Sequence, residues 1–205
     1  MITRARSATG ASETSEASGG SGEWQVIDGV PHRRVVLCFI FRSVGTSREV
    51  LLGLKRTGFG AGRVVAIGGK VDGVETDLAA AIREVREETG LQMQPSAARH
   101  LGRISWTFPA QPAWSMAATL FAAEGDGTTP MPCDEIEPRW YGVDSLPWDS
   151  MWKDGPYWLP SLVADDQERQ GRQDPDCADG LLDVRIVMAD DNEGVDDAVV
   201  LRAGK

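Results

Sequence analysis

The sequence predicts an α+β or α/β/α sandwich, and three observations predict it. Short β-rich apolar runs recur along the chain, few segments are helical, and glycine-rich turns separate them. RRVVLCFIF (33–41) is a continuous apolar run and reads as a buried strand. SVGTS turns the chain, and EVLLGLKR (49–56) reads as the partner strand. The loop TGFGAGR leads to VVAIGG (64–69), a short buried strand, and a helix follows at about 77–89. Strands are expected at 101–108, 115–123 and 136–141, and a short helix at 156–164. GLLDVRIVM and DAVVLR flank the turn ADDNEG and read as a closing hairpin at about 180–202.

A chain of 205 residues suits one domain with extras. Residues 7–22 are small and polar and cannot bury enough surface to offset ordering entropy, so residues 1–30 are expected to be a disordered tail. The domain is then expected over 31–205. A net charge of -10 argues against a protein that coats nucleic acid. Twelve acidic residues fall between Asp165 and Asp197, which reads as a solvated surface. Cys38, Cys133 and Cys177 form no CxxC pair, and only His32 and His100 accompany them, which disfavours a zinc site and suits a reducing compartment. No apolar run is long enough to span a bilayer, and no signal core follows Arg4 and Arg6. A cytoplasmic monomer without membrane or nucleic-acid partners is the expectation.

The informative segment is GKVDGVETDLAAAIREVREETGL (69–91). Thr76 is a good N-cap, Asp77 suits the positive helix end, and Gly90 can end the helix in the left-handed region. Leu78, Ala81, Ile82 and Val85 make an apolar stripe for packing on the sheet. Glu84, Glu87 and Glu88 fall within an arc of roughly 100° on one flank of that stripe. Each like-charged neighbour costs roughly 0.2–0.5 kcal/mol on an isolated helix. A cation among them reverses the sign, and an all-oxygen set suits Mg²⁺ ahead of Ca²⁺ or Mn²⁺. On a generic helix the same residues would be a solvated acidic face, with Arg83–Glu87 an ordinary surface pair.

The wider pattern decides against that plain reading. Gly69, Glu75, Arg83-Glu84-Val85, Glu87-Glu88 and Gly90-Leu91 resemble the Nudix box at nine positions in 23 residues. The resemblance implies an α/β/α sandwich with a mixed central sheet, in which the box forms a loop–helix–loop. It implies a divalent metal, Mg²⁺ with Mn²⁺ as a substitute, on the diphosphate of a nucleotide. By position Glu84, Glu87 and Glu88 would be metal ligands, with Glu75 near the same side and a carbonyl offered at Gly69. Either Glu84 or Glu88 would take the proton from the attacking water, and Arg83 would orient a carboxylate.

Similarity extends over about 33–165. LLGLKRTGFGAGR (51–63) and EIEPRWYGVDSLPWDSMWKDGPYWLP (135–160) look like the animal MutT-homologue type, which hydrolyses oxidised purine nucleoside triphosphates to monophosphate and pyrophosphate in nucleotide-pool sanitation. That resemblance implies Glu135 as a further metal ligand, Lys55 near the nucleotide, Phe59 lining the pocket, Trp152 stacked on the base and Asp154 bonded to the base edge. Lys70 is either a phosphate contact or a solvated loop lysine, and Lys55 could be a plain edge-strand charge. Trp140, Trp148 and Trp158 are expected in the core. Three positions depart from the type: Val36, Val65 and Gly155 stand where it has hydrogen-bonding residues, and their loss from a base pocket would weaken discrimination. Two other expectations therefore stand beside pool sanitation. One is a Nudix hydrolase of a dinucleoside polyphosphate or plain dNTP. The other is a non-catalytic binding module, which would have no use for crowded carboxylates.

Overall fold

The computed structural model describes residues 22–169 and 180–202. Nine strands share one mixed sheet. They are β1 (Trp24–Ile27), β2 (Val30–Val44), β3 (Ser47–Lys55), β4 (Val64–Lys70), β5 (Arg99–Thr107), β6 (Met116–Glu124), β7 (Ile136–Gly142), β8 (Leu182–Met188) and β9 (Val195–Arg202). The order across the sheet is β7-β3-β4-β2-β6-β5-β8-β9, with β1 paired to β2. β2–β6 and β5–β8 are parallel and the other pairs antiparallel, which makes the sheet mixed. The helices are α1 (Asp77–Thr89) and α2 (Gly155–Arg169). This is the sandwich class that the strand runs and the single strong helix predicted.

One boundary differs from expectation. β1 lies inside the stretch read as a tail, paired Trp24 to Arg33 and Ile27 to Val30. Asp28 and Gly29 turn that hairpin in the left-handed region, and the Arg33 guanidinium lies over the Trp24 ring. Composition concealed this because the strand is four residues long and its apolar residues are largely exposed. Residues 1–21 of the expected tail, and Cys177, lie outside the described residues.

Strand alternation sorts the core into two faces. Phe39, Phe41, Val50, Leu52, Ile104, Leu120 and Ile186 point to one face, where Trp158, Leu159 and Leu162 of α2 cover them. Val36, Cys38, Ile40, Leu51 and Ile67 point to the other, against Ala80, Ala81 and Val85 of α1. Helix α1 forms where its caps place it. Thr76 Oγ1 accepts from the Ala79 amide at 3.1 Å, and Gly90 (φ 73°) closes the last turn on the Arg86 carbonyl. Val85 is fully buried, an anchor worth about 1.5–3 kcal/mol. Leu78 and Ile82 of the expected stripe pack at its edge, while Ala80 and the acidic Glu88 are buried in its place. α2 is tied down by buried Asp166, which accepts from Arg48 (2.7 Å) on β3 and from Arg99 on β5.

Candidate active site

The α1 face of the sheet gathers the acidic residues. β4 carries Gly68–Gly69 just before its last residue, and α1 packs against this strand. A Cβ at Gly69 would collide with the Glu84 carboxylate, so glycine is what lets that carboxylate lie on the strand. Glu88 is only 3 % exposed. Its Oε2 accepts from the Gly68 amide at 2.9 Å and its Oε1 from Lys55 Nζ at 3.3 Å. Lys55 reaches across to Glu135 as well, at 2.5 Å, so one ammonium bridges β3, α1 and the start of β7.

Arg83 collects the rest. Its Nη2 donates to Glu75 (2.6 Å) and to the Lys70 carbonyl (2.9 Å), and its Nη1 to Glu84 (2.8 Å) and Glu87 (3.2 Å). The planar fork thereby holds three carboxylates, a task that Lys geometry does not serve. Among the described residues no three acidic, histidine or cysteine side chains close up as a ready ligand set. The reason is visible: Arg83 and Lys55 stand as counter-ions among Glu75, Glu84, Glu87, Glu88 and Glu135. The donor set nevertheless fits a hard divalent cation, being all oxygen with Glu84 and Glu88 packed against the bare Gly68–Gly69 backbone. The Lys70 side chain is exposed.

Electrostatics distinguish these groups. Burial raises the Glu88 carboxyl to about 7, against the opposing pull of the Gly68 amide and Lys55. Burial also raises Glu84, only partly offset by Arg83. Glu75 is lowered by its bond to Arg83. Burial opposes the Lys55 cation, but Glu135 and Glu88 outweigh it and its pKa rises. Beneath the cluster Cys38 is held as a thiol by burial and by the nearby Glu84 and Glu88 charges.

The opposite face carries aromatic residues. Phe59 stacks on Trp152 at 5.1 Å and 18°, and Trp114 and Phe108 meet Phe59 edge-on. Phe59 is 43 % and Trp114 40 % exposed, so this cluster opens to solvent. The Arg63 guanidinium lies over Trp152 at 4.1 Å and is itself held by Glu193 in the β8–β9 turn at 2.6 Å. Asp154 is buried, and its Oδ2 accepts from the indoles of Trp106 (2.6 Å) and Trp158 (2.9 Å). Burial raises its pKa despite those bonds. Phe59 sits four residues beyond Lys55, so their Cα atoms lie within about 15 Å. One loop thus joins the acidic and aromatic clusters.

The structure therefore brings Glu75, Glu84, Glu87, Glu88, Glu135, Arg83 and Lys55 together, and separately Phe59, Trp152 and Asp154. It corrects the readings of Val36, Val65 and Trp148. Val36 is fully buried beneath α1, and Val65 packs on that same face, whereas Asp154 and its indole partners belong to the other. Neither valine faces Asp154, because alternate strand residues point to opposite sides. Trp148 sits at the surface rather than in the core. Sequence reasoning missed Trp106, Trp114, Phe108, Arg63 and Glu193. Arg63, inside the glycine-rich loop, and Glu193, inside the ADDNEG turn, lay in segments already singled out, but neither was given a role.

Residues 31–162 match the NUDIX domain family. The chain belongs to that family. It is 39% identical to the oxidized purine nucleoside triphosphate hydrolase of Mus musculus over 116 residues, 57% of this chain and 72% of that one. The Danio rerio protein of the same name is 37% identical over 115 residues, 56% of this chain and 72% of its own length. Among solved structures, the mMutator MutT protein of Bacillus halodurans superposes with a TM-score of 0.60 at 20% identity, covering 82% of this chain and 96% of that one. A MutT protein of Methanosarcina mazei Go1 gives 0.52 at 21% identity, over 68% and 95%. These two likenesses show the fold. Family and curated relatives together make this chain a hydrolase of acid anhydrides in small nucleotides, which sets aside the binding-module reading. Among the described residues no helix is long and apolar enough to cross a membrane.

Proposed function

We propose that this Nudix hydrolase is a Mg²⁺-dependent pyrophosphohydrolase of oxidised or otherwise modified purine nucleoside triphosphates, releasing monophosphate and pyrophosphate. The observation that carries it is the acidic set clamped over Gly68–Gly69 by Arg83 and Lys55, within one short loop of a stacked Phe59–Trp152 pair. Glu84, Glu87, Glu88 and Glu135, with Glu75 and the Gly69 carbonyl, would hold the cation. Mg²⁺ there supplies neutralisation of phosphate oxygens and a more acidic bound water. The chain supplies the rest. Arg83 fixes the carboxylates, Lys55 and Lys70 attract phosphate, Phe59 and Trp152 receive the purine ring, and Asp154 accepts from its edge. Glu84 and Glu88 share the proton-accepting role as a coupled pair, and Glu88, near 7, can take up a proton at neutral pH. A cytoplasmic monomer that cleanses the nucleotide pool and so spares DNA from repair is the setting this activity implies.

A second reading, a Nudix hydrolase of plain dNTPs or dinucleoside polyphosphates, is favoured by Gly155, which leaves the residue after Asp154 without a side chain. Purified protein with Mg²⁺ is incubated with dGTP, 8-oxo-dGTP, 2-oxo-dATP, dCTP and a dinucleoside tetraphosphate, and products are resolved by chromatography. Glu88→Gln is the control, expected to lose roughly 10²–10⁴-fold in kcat. Monophosphate and pyrophosphate from oxidised purines alone support the first reading. A strong preference for 8-oxo-dGTP over dGTP refutes the second, and turnover of only dinucleoside polyphosphate or plain dNTP refutes the first.

A further inference from the structure

Asp154 is a carboxylate with one oxygen already spent. An ionised carboxylate offers about two acceptor sites on each oxygen. Trp106 Nε1 at 2.6 Å and Trp158 Nε1 at 2.9 Å both donate to Oδ2, which fills that oxygen. Indole N–H groups donate only, so neither tryptophan can turn round to accept. The arrangement is locked by packing. Trp106 meets Trp158 edge-on at 6.2 Å and 75°, and Trp158 meets Phe39 in the same way at 6.1 Å. With Asp154 at 4 % exposure, water does not compete for these bonds. Gly155 brings no second carboxyl group alongside.

Purine edges differ in what they ask of such a group. A guanine-type edge presents two adjacent N–H donors, which match the two oxygens of one carboxylate as a fork. An adenine-type edge presents a single amino group. We infer that Trp106, with Trp158, restricts Asp154 to one usable acceptor atom and thereby selects a purine with a 6-amino edge over one with the paired donors of guanine. Trp106 is a positioning residue for specificity, acting through Asp154. The inference rests on the proposed role of Asp154 in reading the base.

Trp106→Phe keeps the ring and removes the N–H, returning one acceptor site to Oδ2. Trp158→Phe does the same from the other side. The full-length protein and both variants are titrated calorimetrically, without metal, with dAMP, whose only base donor is the 6-amino group, and dGMP, which presents the paired N1–H and N2–H donors. The wild type is expected to bind dAMP more tightly. Either variant is expected to shift the affinity ratio toward dGMP by about tenfold, the worth of one hydrogen bond to a charged group. A tryptophan that merely fills space would weaken both nucleotides alike and leave the ratio unmoved. That result in both variants overturns the inference, as does tighter wild-type binding of dGMP or binding of neither. Turnover of triphosphates is measured separately. A wild type that hydrolyses them but shows no shift on losing either N–H refutes this inference alone, whereas one that hydrolyses none refutes the proposed function.

Discussion

The two faces of the sheet solve the problem of a buried carboxylate in opposite ways. Under α1, Glu88 is buried against a backbone amide and a lysine, so its charge is met by charge. Under α2, Asp154 is buried against two neutral indoles, so its charge is met by dipoles. The first arrangement can be exchanged, because one cation can take the place of another. The second is fixed, because two packed aromatic rings cannot leave. On the proposed function, the first suits an exchangeable ion and the second a fixed reading group.

The largest expected effect breaks the fixed side. Asp154→Ala strands two buried indole donors and is expected to cost about 2–4 kcal/mol in denaturant unfolding. Asp154→Asn retains an acceptor oxygen and should lose distinctly less. Equal losses would mean that the indoles find other partners.

The exchangeable side predicts the opposite sign. Glu88 has a folded pKa of about 7, above its ordinary value of 4.5. A raised folded pKa means that folding favours the protonated form. Its contribution to stability is complete below about pH 4.5 and is lost as pH rises through 7. Glu88→Gln keeps an acceptor for the Gly68 amide without the charge. Metal-free Glu88→Gln should therefore be more stable than the wild type at pH 8, by about 1–3 kcal/mol, and the gain should vanish near pH 4. Melting curves across that range check it, and a gain independent of pH would remove the carboxylate charge as the cause.

The smallest effect sharpens the boundary between the faces. Glu193→Gln loosens Arg63 from the β8–β9 turn and so from its place over Trp152. A few-fold rise in KM with kcat unchanged is expected, the signature of lost uniform binding. A fall in kcat instead would tie the hairpin to the chemistry.

These faces were unequally legible. The acidic cluster lies mostly on one helix and the loop before it, so spacing at 3.6 residues per turn announces Glu84, Glu87 and Glu88 together, and Thr76 and Gly90 mark the ends. The strand runs at 64–69 and 136–141 likewise lie inside β4 and β7. What spacing could not give is that Glu88 turns inward while Glu87 stays at the surface, since that depends on which strand lies beneath the helix. The aromatic face is assembled from Phe59, Trp106, Trp114, Trp152 and Trp158, of which only the last two share a stretch singled out for its tryptophans. Nothing local in ISWTF marks Trp106 as the partner of Asp154, 48 residues away. Val36 and Val65 were assigned to the base pocket by position in a motif, and only the register of the sheet shows that they face away. β1 escaped notice because its partner, not its composition, makes it a strand.

Lys55 and Arg83 give the acidic face a last consequence. The folded chain already meets part of the charge of its five carboxylates with two cations of its own, so its fold does not rest on an ion alone. On the proposed function, a divalent cation would arrive as a rival to residents rather than as a keystone, and would gain its place only where its charge serves the carboxylates and a phosphate chain at once. Ion and nucleotide would then recruit one another, and the empty protein would stand idle but intact.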